Sequence, residues 1–349
     1  MTSSSTLMAR EILEAPDVVQ RQAERLRRPL AELAARLQQK PPQVVVTCAR
    51  GSSAHAAAFS KHLIERYAGI PVAPAAPSIA SVYGQSLQLK DQLFLAISQS
   101  GQSEDLVALA RSAKAAGALT AAVVNVTDSP LAASCDIVLP ICAGPELSVA
   151  ATKTFVGTAA ALARLTAEWT HNDALGAALE RLPDRLATAA RLDWGAAVPA
   201  LAAAASLVTI GRGSTLSIAR EAALKLKETC NLHAEAFSGA EFLHGPVALA
   251  SYRYPILMFM PTDLAATGMH GLAARLQAMG TDLFVTRPGE PPSGTARLGE
   301  GLPALAADQP ETDAICLIQS FYAMVEHLSQ RLAIDVDRPR HLSKVTSTT

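Results

Sequence analysis

Short apolar runs of strand length alternate along this chain with longer amphipathic stretches. The run Val44–Cys48 predicts a strand, and a helix is expected from about Ser53 to Tyr67. An extended Pro-rich stretch follows, then a strand over Leu93–Ser98, a helix from Glu104 to Gly117 and a strand over Thr120–Val126. The second part of the chain predicts strands over Ser206–Gly211, Ile256–Pro261 and Asp282–Arg287. Amphipathic helices, Val18 to Leu37 and Leu182 to Ala204, precede the two series. Strands that alternate with helices imply α/β architecture, with parallel sheets covered on both faces. Such sheets bind ligands beyond the carboxyl ends of their strands.

The two series are related. Val45–Ser52 reads VVTCARGS and Leu207–Ser214 reads LVTIGRGS, and the matching residues stand at a constant offset of 162 positions. An amphipathic helix precedes each and an Ala-containing helical pattern follows each, which favours duplication over chance similarity. The boundary is expected in the helical segment between Trp169 and Leu201. The division is therefore a helical segment over 1–40, one domain over 41–180, a second over 181–335 and a tail over 336–349.

At 349 residues the chain has room for two cores. Half of the residues are apolar, only 4% are aromatic and the formal net charge is −1. This balance gives no electrostatic case for nucleic acid or membrane binding, so any anion must be held by a local site. The Arg21–Arg28 cluster reads as a solvated helix face. No apolar run has the length of a membrane span, and the polar start lacks a signal-peptide pattern, so a cytoplasmic protein is expected. Cys48, Cys135, Cys142, Cys230 and Cys316 include no CxxC pair and read as reduced core thiols.

Two segments carry the candidate chemistry. Ile218–Leu249 holds four glutamates, two lysines and two histidines. Glu221, Lys225 and Glu228 fall on one helix face, while Lys227 points elsewhere. A salt-bridged surface helix would show the same charges. The apolar neighbours Ala222, Ala223, Leu224 and Leu226 argue for partial burial, and buried charges need partners or a function. His233, Glu235, Glu241 and His244 are expected in a flexible loop, with no role assigned to Glu235 or Glu241. An acid, an amine and an imidazole together suit proton transfer on a carbonyl compound. In the first half, the strand LFLAIS runs into Ser98-Gln99-Ser100-Gly101-Gln102-Ser103 at a helix N-terminus. Hydroxyls and orphan N–H groups there form an anion cradle, to which Ser52 and Ser53 add donors. Ordinary capping would need only one or two of these hydroxyls. GxxxxGKS is missing, which argues against a nucleotide P-loop. The equivalent turn of the second half, Met260-Pro261-Thr262-Asp263, suits an anion poorly. A site spanning the two halves is the simplest expectation.

The motifs SQSGQSED, ELSVAATKTF, EAALKLKE, AEAFSGAEFLHGP and VDRPRHLSK resemble the sugar-isomerase (SIS) domain family, in particular the isomerase half of glucosamine-6-phosphate synthase. The resemblance implies two tandem SIS domains, each a doubly wound parallel sheet flanked by helices. It implies that Ser53, Ser98, Gln99, Ser100 and Ser103 bind a sugar phosphate, with Ser52 and Val149 beside the sugar. By the same resemblance, Glu228 carries a proton between C1 and C2, Lys225 and Glu221 support it, and His244 opens the sugar ring. Lys344, in a tail without helical period, meets the open-chain carbonyl and is placed to form a Schiff base. Relatives of the family are dimers, so a homodimer is expected, with His233 or His244 acting across the interface. Val156–Thr166, Leu317, Ile318 and Met324 are candidates for its surface.

The chain departs from the synthase in three ways. It is expected to lack the glutaminase domain, Ala151 stands where a hydroxyl residue is usual, and Ser81-Val82-Tyr83-Gly84 lacks the usual charged residues. Without delivered ammonia, mass action favours amine release. The expected activity is therefore glucosamine-6-phosphate deamination to fructose 6-phosphate, with no metal or organic cofactor. The alternatives are a fructose-amine phosphate deglycase, a sugar-phosphate aldose–ketose isomerase and an aminotransferase-like isomerase. A sugar-phosphate-sensing module is the non-enzymatic alternative, although it would not need Glu228, His244 and Lys344 together.

Overall fold

The central strands are buried end to end, as the apolar runs require. The computed structural model describes residues 6–288 and 298–344, so the last part of the expected tail, 345–349, lies outside the described residues. The strands are β1 (Val45–Cys48), β2 (Val72–Pro74), β3 (Leu93–Ser98), β4 (Leu119–Val124), β5 (Ile137–Pro140), β6 (Ser206–Gly211), β7 (His233–Ser238), β8 (Pro255–Met258), β9 (Asp282–Pro288) and β10 (Glu300–Ala304). The α-helices are α1 (Leu7–Gln39), α2 (Gly51–Tyr67), α3 (Ser78–Ser81), α4 (Glu104–Ala115), α5 (Pro130–Ser134), α6 (Lys153–Thr170), α7 (Asp173–Ala189), α8 (Val198–Ala202), α9 (Ser214–Cys230), α10 (Ala266–Ala278) and α11 (Pro310–Arg331).

Two compact units result. The first comprises residues 17–146, 153–180 and the tail from 343; the second comprises residues up to 16, 147–152 and 181–342. The first unit holds a parallel sheet of five strands in the order β2-β1-β3-β4-β5. Its inner strands β1 and β3 are buried at every position, whereas edge strand β2 exposes two of its three residues. This is the expected signature of a parallel sheet covered by helices on both faces. The second unit repeats the design, with the order β7-β6-β8-β9-β10 and every pair parallel. In each sheet the strand order reverses beside the first strand, and the crevice at that reversal is where such sheets take ligands.

Several local expectations are corrected. His233–Ser238 forms edge strand β7, paired to β6, and is not a loop. The stretch expected as one helix from Leu182 to Ala204 ends at Ala189 and resumes only in the short α8. Val156–Ala163, Leu165 and Thr166 of α6, with Leu317, Ile318 and Met324 of α11, are buried by the chain itself, so they offer no free surface to a partner. The Arg21–Arg28 arginines are exposed, as a solvated face should be. Cys48, Cys135, Cys230 and Cys316 are buried free thiols. Among the described residues no helix is long and apolar enough to cross a membrane.

In the first unit, Asp136 fastens β5 to β4. Its carboxylate accepts bonds from the Thr120 N–H at 3.0 Å and the Thr120 hydroxyl at 2.7 Å, and Lys114 Nζ lies 2.8 Å away. Partial burial works to raise this carboxyl, but the bonds from Lys114 and Thr120 outweigh it and hold the group below its ordinary value. A depressed carboxyl stabilises the fold above its ordinary value of 3.8, and the contribution is lost as pH falls through the depressed value. Asp136→Asn should therefore cost about 1 kcal/mol at neutral pH, in proportion to its solvent screening. Urea melts at neutral pH and at a pH well below 3.8 should show the gap between mutant and wild type closing at the lower pH. An equal gap at both pH values would contradict this.

Candidate active site

The end of β3 makes a tight turn into α4. Ser98 Oγ accepts the Gly101 N–H at 3.1 Å, and Ser100 Oγ accepts the Gln102 N–H at 3.3 Å. Gly101 has φ +63°, and a Cβ there would lie 2.1 Å from Ser129 Oγ, so the turn requires glycine. Ser103 stands at the N-cap of α4 with extended backbone, but its side chain makes no capping bond. Neighbouring β1 pairs Cys48 with Ala96 and leads through Arg50 into α2, placing Ser52 and Ser53 in the first turn of that helix. Ser52, Ser53, Ser98, Gln99, Ser100 and Ser103 are thus gathered at the carboxyl ends of two adjacent strands and two helix N-termini. Such a place offers orphan N–H groups and partial positive charge to an anion.

Arg50 and Asp105 were not singled out from sequence. Arg50 Nε lies 2.9 Å from Asp105 Oδ2, and its Nη2 makes a second, shorter bond to the same oxygen. The pair neutralises the buried acid in the first turn of α4 and brings a guanidinium to the serine-rich turn. Burial, then the nearby Asp105, push the Cys48 thiol up to about 12 against the pull of Arg50, so Cys48 is no thiolate nucleophile.

Lys344 also belongs to the first unit. Its Nζ lies 2.9 Å from Oε2 of Glu146, a buried carboxylate that also accepts the Thr154 N–H at 3.1 Å and the Thr154 hydroxyl at 2.8 Å. Glu146 leads the ELSVAATKTF motif, which was its only sequence signal. The tail lysine is therefore tied down, not loose in solvent.

In the second unit, α9 carries the acid/base face. Glu221 and Lys225 are fully buried. Lys225 Nζ lies 3.4 Å from Glu221 Oε1 and is bonded to Glu228 Oε2. Glu228 keeps 21% of its side chain exposed, so the string ends with a carboxylate at the margin of the core. Tyr322 of α11, also buried, donates its hydroxyl to Glu221 Oε1 at 3.2 Å. Lys227 turns away and donates to the Ala234 carbonyl at 3.1 Å. His244 is exposed after a short turn, and among the described residues no hydrogen bond joins it to Glu221, Lys225 or Glu228. Val149 is half-buried in a stretch anchored by Glu11, whose carboxylate accepts the Leu147 and Ser148 N–H groups. His233 and Glu235 lie exposed on β7, so the structure gives neither a place on the α9 face.

A family model for the SIS domain matches residues 39–167 and 200–282. Glutamine–fructose-6-phosphate aminotransferase (isomerizing) from Gluconobacter oxydans is 32% identical over 318 residues, which cover 87% of this chain and 51% of that protein. The chain thus spans about half the length of the curated relatives it matches. Among solved structures, a provisionally assigned phosphosugar isomerase from Silicibacter pomeroyi is 44% identical with a TM-score of 0.89, covering 95% of this chain and 100% of that one. The C-terminal domain of glucosamine-fructose-6-phosphate aminotransferase from Francisella tularensis is 25% identical with a TM-score of 0.84, covering 97% and 99%.

Removing Lys225 takes the amine away from two carboxylates, one of them fully buried. Lys225→Met should cost about 3–5 kcal/mol of folding stability, whereas Tyr322→Phe should cost about 1 kcal/mol. Denaturant melts check both values, and a Lys225→Met variant as stable as wild type would show that the amine does not neutralise Glu221.

Proposed function

This chain belongs to the SIS domain family, and from that premise we propose that it is a glucosamine-6-phosphate deaminase of the isomerising kind. The observation that carries the reading is the string on α9, in which a buried amine holds the Glu228 carboxylate at the edge of the core. A positioned carboxylate of this sort suits proton transfer between adjacent carbons, worth typically about 10²–10⁴-fold in rate. The serine-rich turn in the first unit suits the phosphate.

In this reading Ser53, Ser98, Gln99, Ser100 and Ser103 take the phosphate of the substrate, and Ser52 and Val149 border the sugar. His244 assists ring opening. Glu228 removes the proton at C2 of the open-chain aldehyde and returns it at C1, which becomes CH2OH. The C2 amine becomes an imine, and water adds at C2 to release ammonia and leave fructose 6-phosphate. Lys225 and Glu221 position Glu228. Lys344, held by Glu146, meets the C1 oxygen as a cation. At low free ammonia, mass action draws the sequence toward amine release. A homodimer remains part of the reading, with its surface unassigned.

The 44% identity to the provisionally assigned phosphosugar isomerase favours a second reading, aldose–ketose isomerisation without an amine. One assay separates the two. Purified protein supplied with glucosamine 6-phosphate should release ammonia and fructose 6-phosphate in equal amounts, and Ser100→Ala should raise KM more than it lowers kcat. No ammonia, together with interconversion of fructose 6-phosphate and glucose 6-phosphate, would reject deamination and favour the second reading.

A further inference from the structure

The second unit contains a cavity that the proposed chemistry does not use. It has a volume of about 470 Å³ and lies beyond the carboxyl ends of β8, β9 and β10, against the start of α11. That size falls within the range of small-molecule pockets. The turn Met260–Asp263, the counterpart of the serine-rich turn in the first unit, lines it. This turn has Pro261, which lacks an N–H, and the acidic Asp263 where the first unit has serines. Met260 and Pro261 stand among its lining residues, and Val285, Leu305 and Leu317 extend the apolar wall.

Most charges around this wall are already matched. Asp313 accepts Arg185 Nη2 at 2.7 Å and the Thr262 hydroxyl at 2.7 Å, and the Asp308 N–H points at both of its oxygens. Asp308 is itself held by Arg181 at 2.7 Å. Asp263 accepts the Ala265 N–H at 3.0 Å. Arg287 differs. It lines the cavity from β9, is half-buried, and among the described residues its side chain forms no ion pair or hydrogen bond. Its guanidinium lies across Gly301 of β10, where a Cβ would come within 2.4 Å of both Nε and Nη2. The glycine leaves the space that the guanidinium fills. A planar fork with five donors, held beside an apolar wall, matches a carboxylate or a similar anion.

We propose that this cavity is a second ligand site, which takes a small organic anion with an apolar body, its acidic group on Arg287 and its body against Met260, Val285 and Leu317. The site is independent of the deaminase reading and stands or falls apart from it. The second unit therefore carries a carbon-lined cavity beside the turn that matches the serine-rich turn of the first.

Calorimetric titration of the full chain with 1-naphthaleneacetate tests the proposal. Saturable binding at one site is expected, about ten-fold weaker for Arg287→Met and largely restored for Arg287→Lys. The neutral analogue 1-naphthaleneethanol should bind about as weakly to wild type as the acid binds to Arg287→Met. Inorganic phosphate should not displace the acid. The proposal is overturned if no saturable binding occurs, if Arg287→Met binds the acid as wild type does, if the neutral analogue binds equally well, or if phosphate competes.

Discussion

The site on α9 depends on one buried amine. Lys225 is fully enclosed, and a lone ammonium there would be untenable; Glu221 behind it and Glu228 in front make it affordable. Such a string contributes little net stability compared with an apolar replacement of the same shape, but it cannot lose one member cheaply. What it supplies is geometry. Glu228 is held at a fixed point on the helix, with one edge open, and Tyr322 fixes the far end from α11. The helix is positioned by a close approach of backbone. At the end of β6, a Cβ on Gly211 would lie 2.2 Å from the Thr215 carbonyl oxygen, so glycine lets α9 start hard against the strand.

Duplication accounts for one architecture recurring with different residues at its strand ends. Both sheets have the same strand order and reversal, and Ser52 and Ser214 occupy matching places in the repeated sequence. Ser52 is half-buried at the start of α2, whereas Ser214 is fully buried at the start of α9. The first unit keeps hydroxyls at the strand ends, where helix N-termini favour an anion. The second has Met260-Pro261-Thr262-Asp263 at its equivalent turn and places charge in the body of the helix instead.

Much of this was legible because the signals are local. Buried parallel strands read as unbroken apolar runs, and an i, i+4, i+7 spacing put Glu221, Lys225 and Glu228 on one face. The serine-rich turn was legible for the same reason. The partners of these residues were not, because they are distant along the chain. Tyr322 reaches Glu221 from 101 positions away, and Lys344 reaches Glu146 from 198. Strand β7 was misread as loop because it is an exposed edge, defined by pairing with β6 more than by its own composition. The Ala-rich face of α6 was only a candidate interface, because an apolar helix face looks the same whether the chain or a partner covers it.

Glucosamine 6-phosphate carrying deuterium at C2 provides the most direct test of the claim that the buried amine presents Glu228 for proton transfer. The wild-type protein should remove the label from C2, with part of it appearing at C1 of fructose 6-phosphate. Glu228→Gln should bind the sugar phosphate and leave the label where it is. Loss of the C2 deuterium from Glu228→Gln at the wild-type rate would contradict the account.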